Sequence, residues 1–356
     1  MEMLSEVVGS LIAQLQKPTL AFLVGGMALA AFGSRFSVPD QVYKFIVVVL
    51  LLKVGMSAGI SMRDAELVDI LVPALLAGAT GIVIVFLGLV TLARIKGLSH
   101  TDAMATVGLF GAVSASTLAA GMAILDEENI AYEGFIGALY PFMDIAALIT
   151  AIVLARLSAA RKAAATNGIS PVSATGLSTV GAMHVPQTKT RHLVADIMAD
   201  TLRSPAISAL LLGLALGLLA RPETVFESFY EPLFRGFLSI LMLIMGMEAW
   251  ARLSEMRRVA HVYLGYGLTA PLVHGALGFG AGVVAHHLTG FSQGGIVLLA
   301  VMAASSSDIS GPPTLRGALP NANPATYVGT STGIGTPVAI LSIPLWIVMA
   351  GWATGS

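Results

Sequence analysis

Two short polar stretches interrupt long apolar segments of this 356-residue chain, one in each half. The first reads GLFGAVSAST (residues 108–117) and the second reads AASSSDISGPP (residues 303–313). Hydroxyl groups and backbone carbonyls are hard oxygen ligands that suit Na⁺, whereas the N–H groups at the start of a half-helix suit a small anion. Because neither stretch contains Lys or Arg, we expect a small, singly charged anion that helix dipoles hold weakly enough to release.

One carboxylate, Asp308, lies within the two stretches. A charge in the middle of a bilayer costs about 3 kcal/mol on insertion scales, and a coupling cation bound there would neutralise it. A single serine in a membrane helix more often packs or bonds to a carbonyl one turn back, but three consecutive serines followed by Asp favour a binding site. Asp144, near Pro141, either supports this site or forms a structural hydrogen bond to a neighbouring helix.

Composition places most of the chain in lipid. Hydrophobic residues make up 56% and charged residues 11% of the chain, whereas soluble domains carry about 25% charged residues. The net charge of −1 argues against nucleic-acid binding, and the lack of cysteine excludes disulfides, thiolate metal sites and a cysteine nucleophile. The histidines, including His274, show no HExxH or similar spacing, and no nucleotide-binding motif is present. We therefore expect neither an enzyme nor an organic cofactor.

Ten apolar segments are long enough to cross a bilayer, which requires about 20 residues. They lie near residues 18–34, 40–62, 68–95, 101–124, 133–158, 203–220, 232–252, 258–287, 293–318 and 324–353. Asp102 and Glu133 fall near the ends of spans, where hydration is cheap, so we assign them no role. The sequence thus predicts an all-α membrane protein.

The distribution of Lys and Arg predicts the orientation of the chain. With the N-terminus outside, thirteen basic residues fall on the inner face, and the outer face receives Lys17, Arg63, Arg221 and Arg235. Residues 159–202 are rich in Ala, Ser, Thr and Gly, which is typical of a flexible linker. This linker is then cytoplasmic, and both termini lie outside.

The two halves resemble each other in the order of their motifs. GLS at 97–99 precedes Ser114 by the same spacing at which GFS at 290–292 precedes Ser307. Each half holds five predicted spans, an odd number, so the second copy enters the membrane from the opposite face. The sequence thus predicts two inverted five-helix repeats, residues 1–158 and 203–356, whose broken helices cross at the bilayer midplane.

Several runs of residues carry a resemblance to a known family. They are QLQKPTLAFLVGGM (14–27), GLFGAVSASTLAAG (108–121), ALYPFMDIAALITAIV (138–153), EPLFRGFLSILMLIMGMEAW (231–250) and SSSDISGPPTLRGALPNANP (305–324). On these runs the chain resembles the cyanobacterial sodium-dependent bicarbonate transporters over essentially all ten spans, apart from the linker. The resemblance implies Na⁺/HCO₃⁻ symport across the plasma membrane, which supports inorganic carbon accumulation for photosynthesis.

The resemblance also implies how the molecule is organised. A core of spans 3–5 and 8–10 (residues 68–158 and 258–353) would move like an elevator against a gate of spans 1, 2, 6 and 7 (residues 1–62 and 203–253). Three copies would form a homotrimer. A PII-like, nucleotide-binding signal protein would dock on the cytoplasmic face and lock transport.

The resemblance extends to candidate site residues. For bicarbonate it favours residues from both halves: Phe110, Gly111, Ala112, Ser114, Ser116, Thr117, Ser305, Ser306 and Ser307. For Na⁺ we favour Asp308 with neighbouring hydroxyls: Thr117, Ser116, Ser306 and Ser310. On the residues alone, a carrier of another small monoanion and an anion channel remain open as alternatives.

Overall fold

A computed structural model of the chain describes residues 18–63, 65–166, 199, 202–255 and 261–355. Within these ranges all regular secondary structure is helical. The predicted N-terminal residues 1–17 and most of the predicted linker, residues 167–198, lie outside the described residues. The all-α fold is therefore confirmed for the part of the chain that the structure covers.

The helices are numbered here in chain order. The α-helices longer than one turn are α1 (Pro18–Ala31), α2 (Asp40–Met62), α3 (Leu67–Val90), α4 (His100–Gly111), α5 (Ala115–Glu127), α6 (Tyr140–Thr166), α7 (Pro205–Leu219), α8 (Glu231–Glu255), α9 (His261–Thr289), α10 (Gln293–Ala304), α11 (Gly311–Ala318), α12 (Pro324–Val328), α13 (Thr336–Leu341) and α14 (Ile343–Thr354). A 3₁₀-helix (Gly134–Leu139) leads into α6, and π-helices precede α8 (Phe226–Tyr230) and α13 (Gly329–Gly335).

Several helical stretches are long and apolar enough to cross a membrane. Six such stretches lie within the described ranges, or seven if α12–α13 and α14, bent by 42° where they meet, count as one span. Three further predicted spans, 18–34, 203–220 and 293–318, coincide with the shorter apolar helices α1, α7 and α10. At 1.5 Å per residue these three reach about 18–23 Å, less than the ~30 Å of a bilayer's hydrocarbon core.

The outer surface of these helices is apolar as well as the interior. Phe45, Leu75, Phe86 and Leu272 are between 41% and 61% exposed, although each lies in a long helix. The interior consists of two clusters of buried apolar side chains. A surface of this kind is stable against lipid chains rather than against water.

Glycines allow two pairs of helices to cross in close contact. α1 packs on α8, and α2 packs on α7. A Cβ at Gly26 of α1 would overlap the backbone of α8, and a Cβ at Gly246 of α8 would overlap the backbone of α1. Gly55 and Gly213 do the same where α2 meets α7. Small residues at such crossings are typical of packing in lipid, where close backbone approach replaces a hydrophobic driving force.

The same local signals start the two interrupted segments. Gly97 and Gly290 adopt positive φ angles of 90° and 72°, which favour glycine and turn the chain sharply. Two residues later Ser99 caps α4 and Ser292 caps α10, each accepting a hydrogen bond from the backbone N–H three positions on. Both capped helices run for 12 residues and stop at a break.

Two carboxylates, Asp102 and Glu133, tie one half of the chain to the other. The Glu133 carboxylate accepts the Ser292 N–H at 2.6 Å and its hydroxyl at 3.0 Å, so the residue before the 3₁₀-helix that leads into α6 holds the start of α10. Asp102, in the first turn of α4, accepts the N–H of Asn323 at 2.8 Å, just before α12. No role in the site is expected for Asp102 and Glu133, but both have a structural role, because their position at span ends lets them reach backbone donors of another segment.

Candidate functional site

The first polar stretch forms a complete break between α4 and α5. Ala112 is extended, and Ser114 accepts the N–H of Thr117 at 3.1 Å as the N-cap of α5. The backbone N–H groups of the break are used within the protein. Val113 donates its N–H to Asp144 at 3.1 Å, and Ser114 donates its N–H to the Ser305 hydroxyl at 2.9 Å.

The second polar stretch forms a break between α10 and α11, directly against the first. Ser305 is extended and ends α10, and α11 begins at Gly311. The N–H of Ser307 donates to the carbonyl oxygen of Leu109 at 2.9 Å. Together with the bond from Ser114 to Ser305, this gives one hydrogen bond in each direction between the breaks. The two stretches that the sequence singled out therefore meet.

Asp308 lies between the two breaks and faces the start of α5. Its Oδ2 atom accepts hydrogen bonds from the Ser116 hydroxyl at 2.6 Å and the Ser114 hydroxyl at 3.2 Å. Its Oδ1 atom is buried and has no hydrogen-bond partner among the described residues. Asp308 is thus a carboxylate with one oxygen satisfied and one oxygen available to a ligand.

Asp144 plays a similar part at the start of α11. This buried carboxylate of α6 accepts the Ser310 hydroxyl at 3.0 Å in addition to the Val113 N–H. Ser310 in turn lies 2.9 Å from the hydroxyl of Ser307, which accepts the N–H of Gly311. Of the two interpretations left open for Asp144, the structural hydrogen bond is present, and it joins α6 to both breaks.

The charge of the two carboxylates is not balanced by basic side chains. Within the described ranges, neither Asp144 nor Asp308 has a Lys, Arg or His nitrogen within 4 Å. Two carboxylates without a basic partner in a membrane interior are costly. A cation with oxygen ligands is the species that this arrangement suits.

Phe110, at the end of α4, contacts two aromatic side chains of α9. Its ring meets the ring of Tyr266 edge-on, with centroids 5.2 Å apart, and that of His274 with centroids 6.1 Å apart. The Tyr266 hydroxyl and the His274 Nδ1 atom are buried without a hydrogen-bond partner among the described residues. Sequence reasoning missed Tyr266 and dismissed His274, because residues eight positions apart on an unbroken helix give no motif.

The π-helix before α13 closes the other side of Phe110. A Cβ at Gly335 would overlap the Phe110 ring, so a larger residue at this position would displace the ring. The next residue, Thr336, places its hydroxyl 3.4 Å from that of Ser306. Thr330, Thr336 and Gly335 are buried, and π-helical turns are frequent at functional sites.

The predicted site residues fall into three groups in the structure. Ser114, Ser116 and Thr117 form one hydroxyl cluster, in which Thr117 donates to the Ser114 hydroxyl at 3.0 Å. Ser307 and Ser310 form a second cluster at Asp144. Phe110 and Ser306 form the third group. The Ser306 hydroxyl lies near that of Thr336, and Gly335, the residue before Thr336, lies against the Phe110 ring. Of these groups only the first makes a direct side-chain bond to Asp308.

A larger cavity lies elsewhere and differs in chemistry. It has a volume of about 570 Å³ and opens between α2, α3, α6 and α7. Its lining is formed by apolar side chains and glycine, among them Met62, Leu71, Phe142 and Leu211. Since it offers no side chain that could bind an ion, we place the candidate site at the breaks.

Comparison with known protein families gave one match. A family described as the Na⁺-dependent bicarbonate transporter superfamily matches residues 18–351, which is nearly the whole chain. The matched range contains both breaks, the two carboxylates and the aromatic side chains around Phe110. Comparison with curated proteins gave no match.

Proposed function

Because the chain belongs to the Na⁺-dependent bicarbonate transporter superfamily, we propose that it is a symporter that imports bicarbonate together with Na⁺ by alternating access. The observation that carries this proposal is the meeting of two helix breaks around Asp308, whose Oδ1 atom is buried and without a partner in the described residues. Broken helices that meet in this way are typical ion and substrate sites of secondary transporters.

The proposed architecture is ten spans in two inverted repeats, residues 1–158 and 203–356. Support comes from the matched start of the interrupted segments, where Gly97 and Ser99 correspond to Gly290 and Ser292 in conformation and capping. The two glycine crossings fit the same repeat. In each of them the first helix of one half packs on the second helix of the other half: α1 packs on α8, and α7 packs on α2.

The proposed motion is a displacement of the core (68–158 and 258–353) against the gate (1–62 and 203–253). All residues at the breaks belong to the core, so the ions would move with it. The contact between Thr19 of α1 and Glu127 of α5, at 3.2 Å, then lies on the boundary that must slide.

We assign Na⁺ to Asp308 with the hydroxyls of Ser116 and Thr117, and with Ser306 and Ser310 as further ligands. The partnerless Oδ1 atom supports this role for Asp308. For bicarbonate we retain the residues around Phe110, Gly111 and Ala112, together with the serines of both breaks. Asp308 and Asp144 face the starts of α5 and α11, and their carboxylates would repel an anion bound there. Such an anion therefore needs Na⁺ to be bound at the same time.

Coupling to Na⁺ has a simple energetic basis. Moving one negative charge into a cell against an inside-negative potential costs about 2.3 kcal/mol per 100 mV. One Na⁺ that enters with the anion cancels this electrical cost and leaves its own gradient to drive accumulation.

In the cell, the proposed transporter is a homotrimer in the plasma membrane, with both termini outside and the linker 159–202 in the cytoplasm. It would supply inorganic carbon for photosynthesis, and a PII-like signal protein would bind the cytoplasmic face. The apolar outer surface and the family support the membrane location.

The direct test is uptake of labelled bicarbonate by cells that express the chain, with Na⁺ or with choline in the medium. Saturable uptake that requires Na⁺ is expected. Uptake that does not saturate would favour a channel. Complete competition by an unrelated short monoanion would favour a carrier with a different substrate.

A further inference from the structure

Two side chains of α9 converge on Phe110 from positions far apart along the helix. Tyr266 and His274 are separated by eight residues, or about 12 Å of helix axis at 1.5 Å per residue. Their ring centroids are nevertheless only 6.2 Å apart, and both rings meet Phe110 edge-on. The two rings therefore lean toward each other and lie side by side against Phe110.

Each of these two side chains has a polar atom without a hydrogen-bond partner among the described residues. Within the described residues, the Tyr266 hydroxyl and the His274 Nδ1 atom are buried and form no hydrogen bond. His274 is 1% exposed. Buried polar groups in native proteins are almost always hydrogen-bonded, and each exception requires an explanation. Of the three such residues on α9, Tyr266 and His274 are the two whose rings contact Phe110 at the end of a broken helix, which points to a bound species that completes them.

The electrostatics of the breaks favour an anion on this side. The start of α5 faces Asp308 through Ser114 and Ser116, and the start of α11 faces Asp144 through Ser310. Without a bound cation an anion next to these carboxylates is repelled, whereas the two α9 side chains that contact Phe110, Tyr266 and His274, offer hydrogen-bonding groups other than carboxylates. An anion on that side needs donors that carry no charge of their own, such as a tyrosine hydroxyl.

We propose that Tyr266 and His274 form a hydrogen-bonding subsite for the transported anion, in which Tyr266 donates to an anion oxygen and His274 accepts the anion's own O–H at Nδ1. A neutral histidine with its proton on Nε2 is an acceptor at Nδ1. The inference rests on the proposed function, because it takes bicarbonate as the substrate. It adds to that function the residue, His274, that accepts a hydrogen bond from the bicarbonate hydroxyl, and Tyr266 as a donor beside it.

This subsite explains how bicarbonate is told apart from nitrate. Both are planar anions with three oxygens and one negative charge, but only bicarbonate carries an O–H donor. A site that pairs with a substrate hydroxyl rejects an analogue without it much more strongly than a site that only fits its shape, because the acceptor is left unpaired. His274 would then set specificity, and Tyr266 would set affinity.

The test compares Tyr266→Phe, His274→Phe and His274→Asn with Tyr263→Phe. Tyr263 lies on the same helix and its hydroxyl also lacks a partner among the described residues, but its ring makes no contact with Phe110. Uptake of labelled bicarbonate at saturating Na⁺ gives KM, uptake against Na⁺ concentration gives the half-saturating Na⁺, and inhibition by nitrate gives Ki.

We expect Tyr266→Phe to raise the KM for bicarbonate by about 10-fold or more, as for loss of a hydrogen bond to a charged group. The half-saturating Na⁺ should stay within about twofold, because Asp308 is untouched. His274→Phe should lower the ratio of nitrate Ki to bicarbonate KM by about 10-fold or more. His274→Asn, whose amide oxygen can accept in place of Nδ1, should retain most of this ratio, and Tyr263→Phe should change nothing.

A binding measurement on purified protein separates failure of this inference from failure of the proposed function. Bicarbonate should raise the Tm of the unmodified protein in the presence of Na⁺, nitrate should not, and the shift should disappear in Tyr266→Phe. Normal KM and normal Tm shift in Tyr266→Phe and His274→Phe would overturn the subsite while leaving symport intact. Absence of Na⁺-dependent uptake with a Tyr266-dependent Tm shift would overturn symport and keep the subsite. No bicarbonate shift in the unmodified protein would overturn the subsite as well.

Discussion

At the scale of single residues, the site is organised by two carboxylates that face helix starts through serine hydroxyls. Asp308 accepts from Ser114 and Ser116, and Asp144 accepts from Ser310. Each hydroxyl can turn from its carboxylate to an ion without moving the backbone. A cation at Asp308 would therefore rearrange the hydroxyl hydrogen bonds at the start of α5 while the backbone bond from Ser114 to Ser305 still joins the two breaks.

Asp308→Asn tests this arrangement. We expect the half-saturating Na⁺ for uptake to rise by about 10-fold or more, because loss of a charged ligand costs more than about 1.4 kcal/mol of binding. Folding should be retained, since removal of an unpaired buried charge also removes its desolvation cost. The Tm without Na⁺ should be equal to or higher than that of the unmodified protein, and the rise in Tm on adding Na⁺ should vanish.

Glu66→Gln is the matched control for Asp308→Asn. Glu66 is exposed, precedes α3 and makes no capping hydrogen bond through its side chain. It should leave both the Na⁺ dependence and the Tm unchanged. Normal Na⁺-driven uptake by Asp308→Asn would reject the role of this carboxylate.

Residue types in the sequence pointed to Asp308 and to the serines because small polar residues and a charge are rare within apolar segments. They could not reveal the partners of Asp144, which depend on the packing of α6 against both breaks. Tyr266 and His274 left no sequence signal at all. Their convergence depends on side-chain directions along α9, and these are set by tertiary packing.

At the scale of helices, packing depends on glycines where backbones cross. Gly246→Ala should destabilise the protein by about 1–3 kcal/mol, because its Cβ would overlap the carbonyl oxygen of Leu23 and the helices cannot separate without losing contacts. Gly25→Ala is the control, since a Cβ there meets no atom within 4 Å. Thermal unfolding in detergent should show a lower Tm for the first variant, and equal Tm values would contradict the crossing.

The bond between Glu133 and the start of α10 gives a second prediction at this scale. Glu133→Ala removes the acceptor for the N–H and hydroxyl of Ser292, and should lower the free energy of unfolding by about 1.5–3 kcal/mol, the usual range for bonds to a charged group. Glu66→Ala should have no such effect on the Tm. A Tm of Glu133→Ala that matches the control would show that Ser292 finds another partner.

The sequence located the two breaks within a few residues, because runs of Gly, Ser and Pro are strong signals in an apolar segment. The π-helices Phe226–Tyr230 and Gly329–Gly335 were not predicted. A π-turn arises from one extra residue in a turn and has no composition of its own. The bend of 42° between α12–α13 and α14 was likewise not predicted; it lies at Ser342, next to the start of a helix whose second residue is Pro344.

At the scale of the whole molecule, alternating access requires the gate to slide past the core. The chain contains no cysteine, so two introduced cysteines can be linked without ambiguity. A short bis-maleimide link in Thr19→Cys/Glu127→Cys, where α1 contacts α5 at 3.2 Å, should abolish Na⁺-driven uptake. The same link in Asp102→Cys/Asn323→Cys, within the proposed core, should leave uptake largely intact. Undiminished uptake after the first link would rule out movement at this boundary.

The hydrogen bonds from Ser114 to Ser305 and from Ser307 to Leu109 have a consequence for how the chain can be divided. Each connects a residue before the linker with a residue after it. A polypeptide of residues 1–166 produced alone therefore lacks the hydrogen-bond partners of its own break. Fragments 1–166 and 199–356 made together in one cell should complement each other without a covalent connection. A single fragment could regain hydrogen bonds of this kind only by pairing with another copy of itself inserted in the opposite orientation in the membrane.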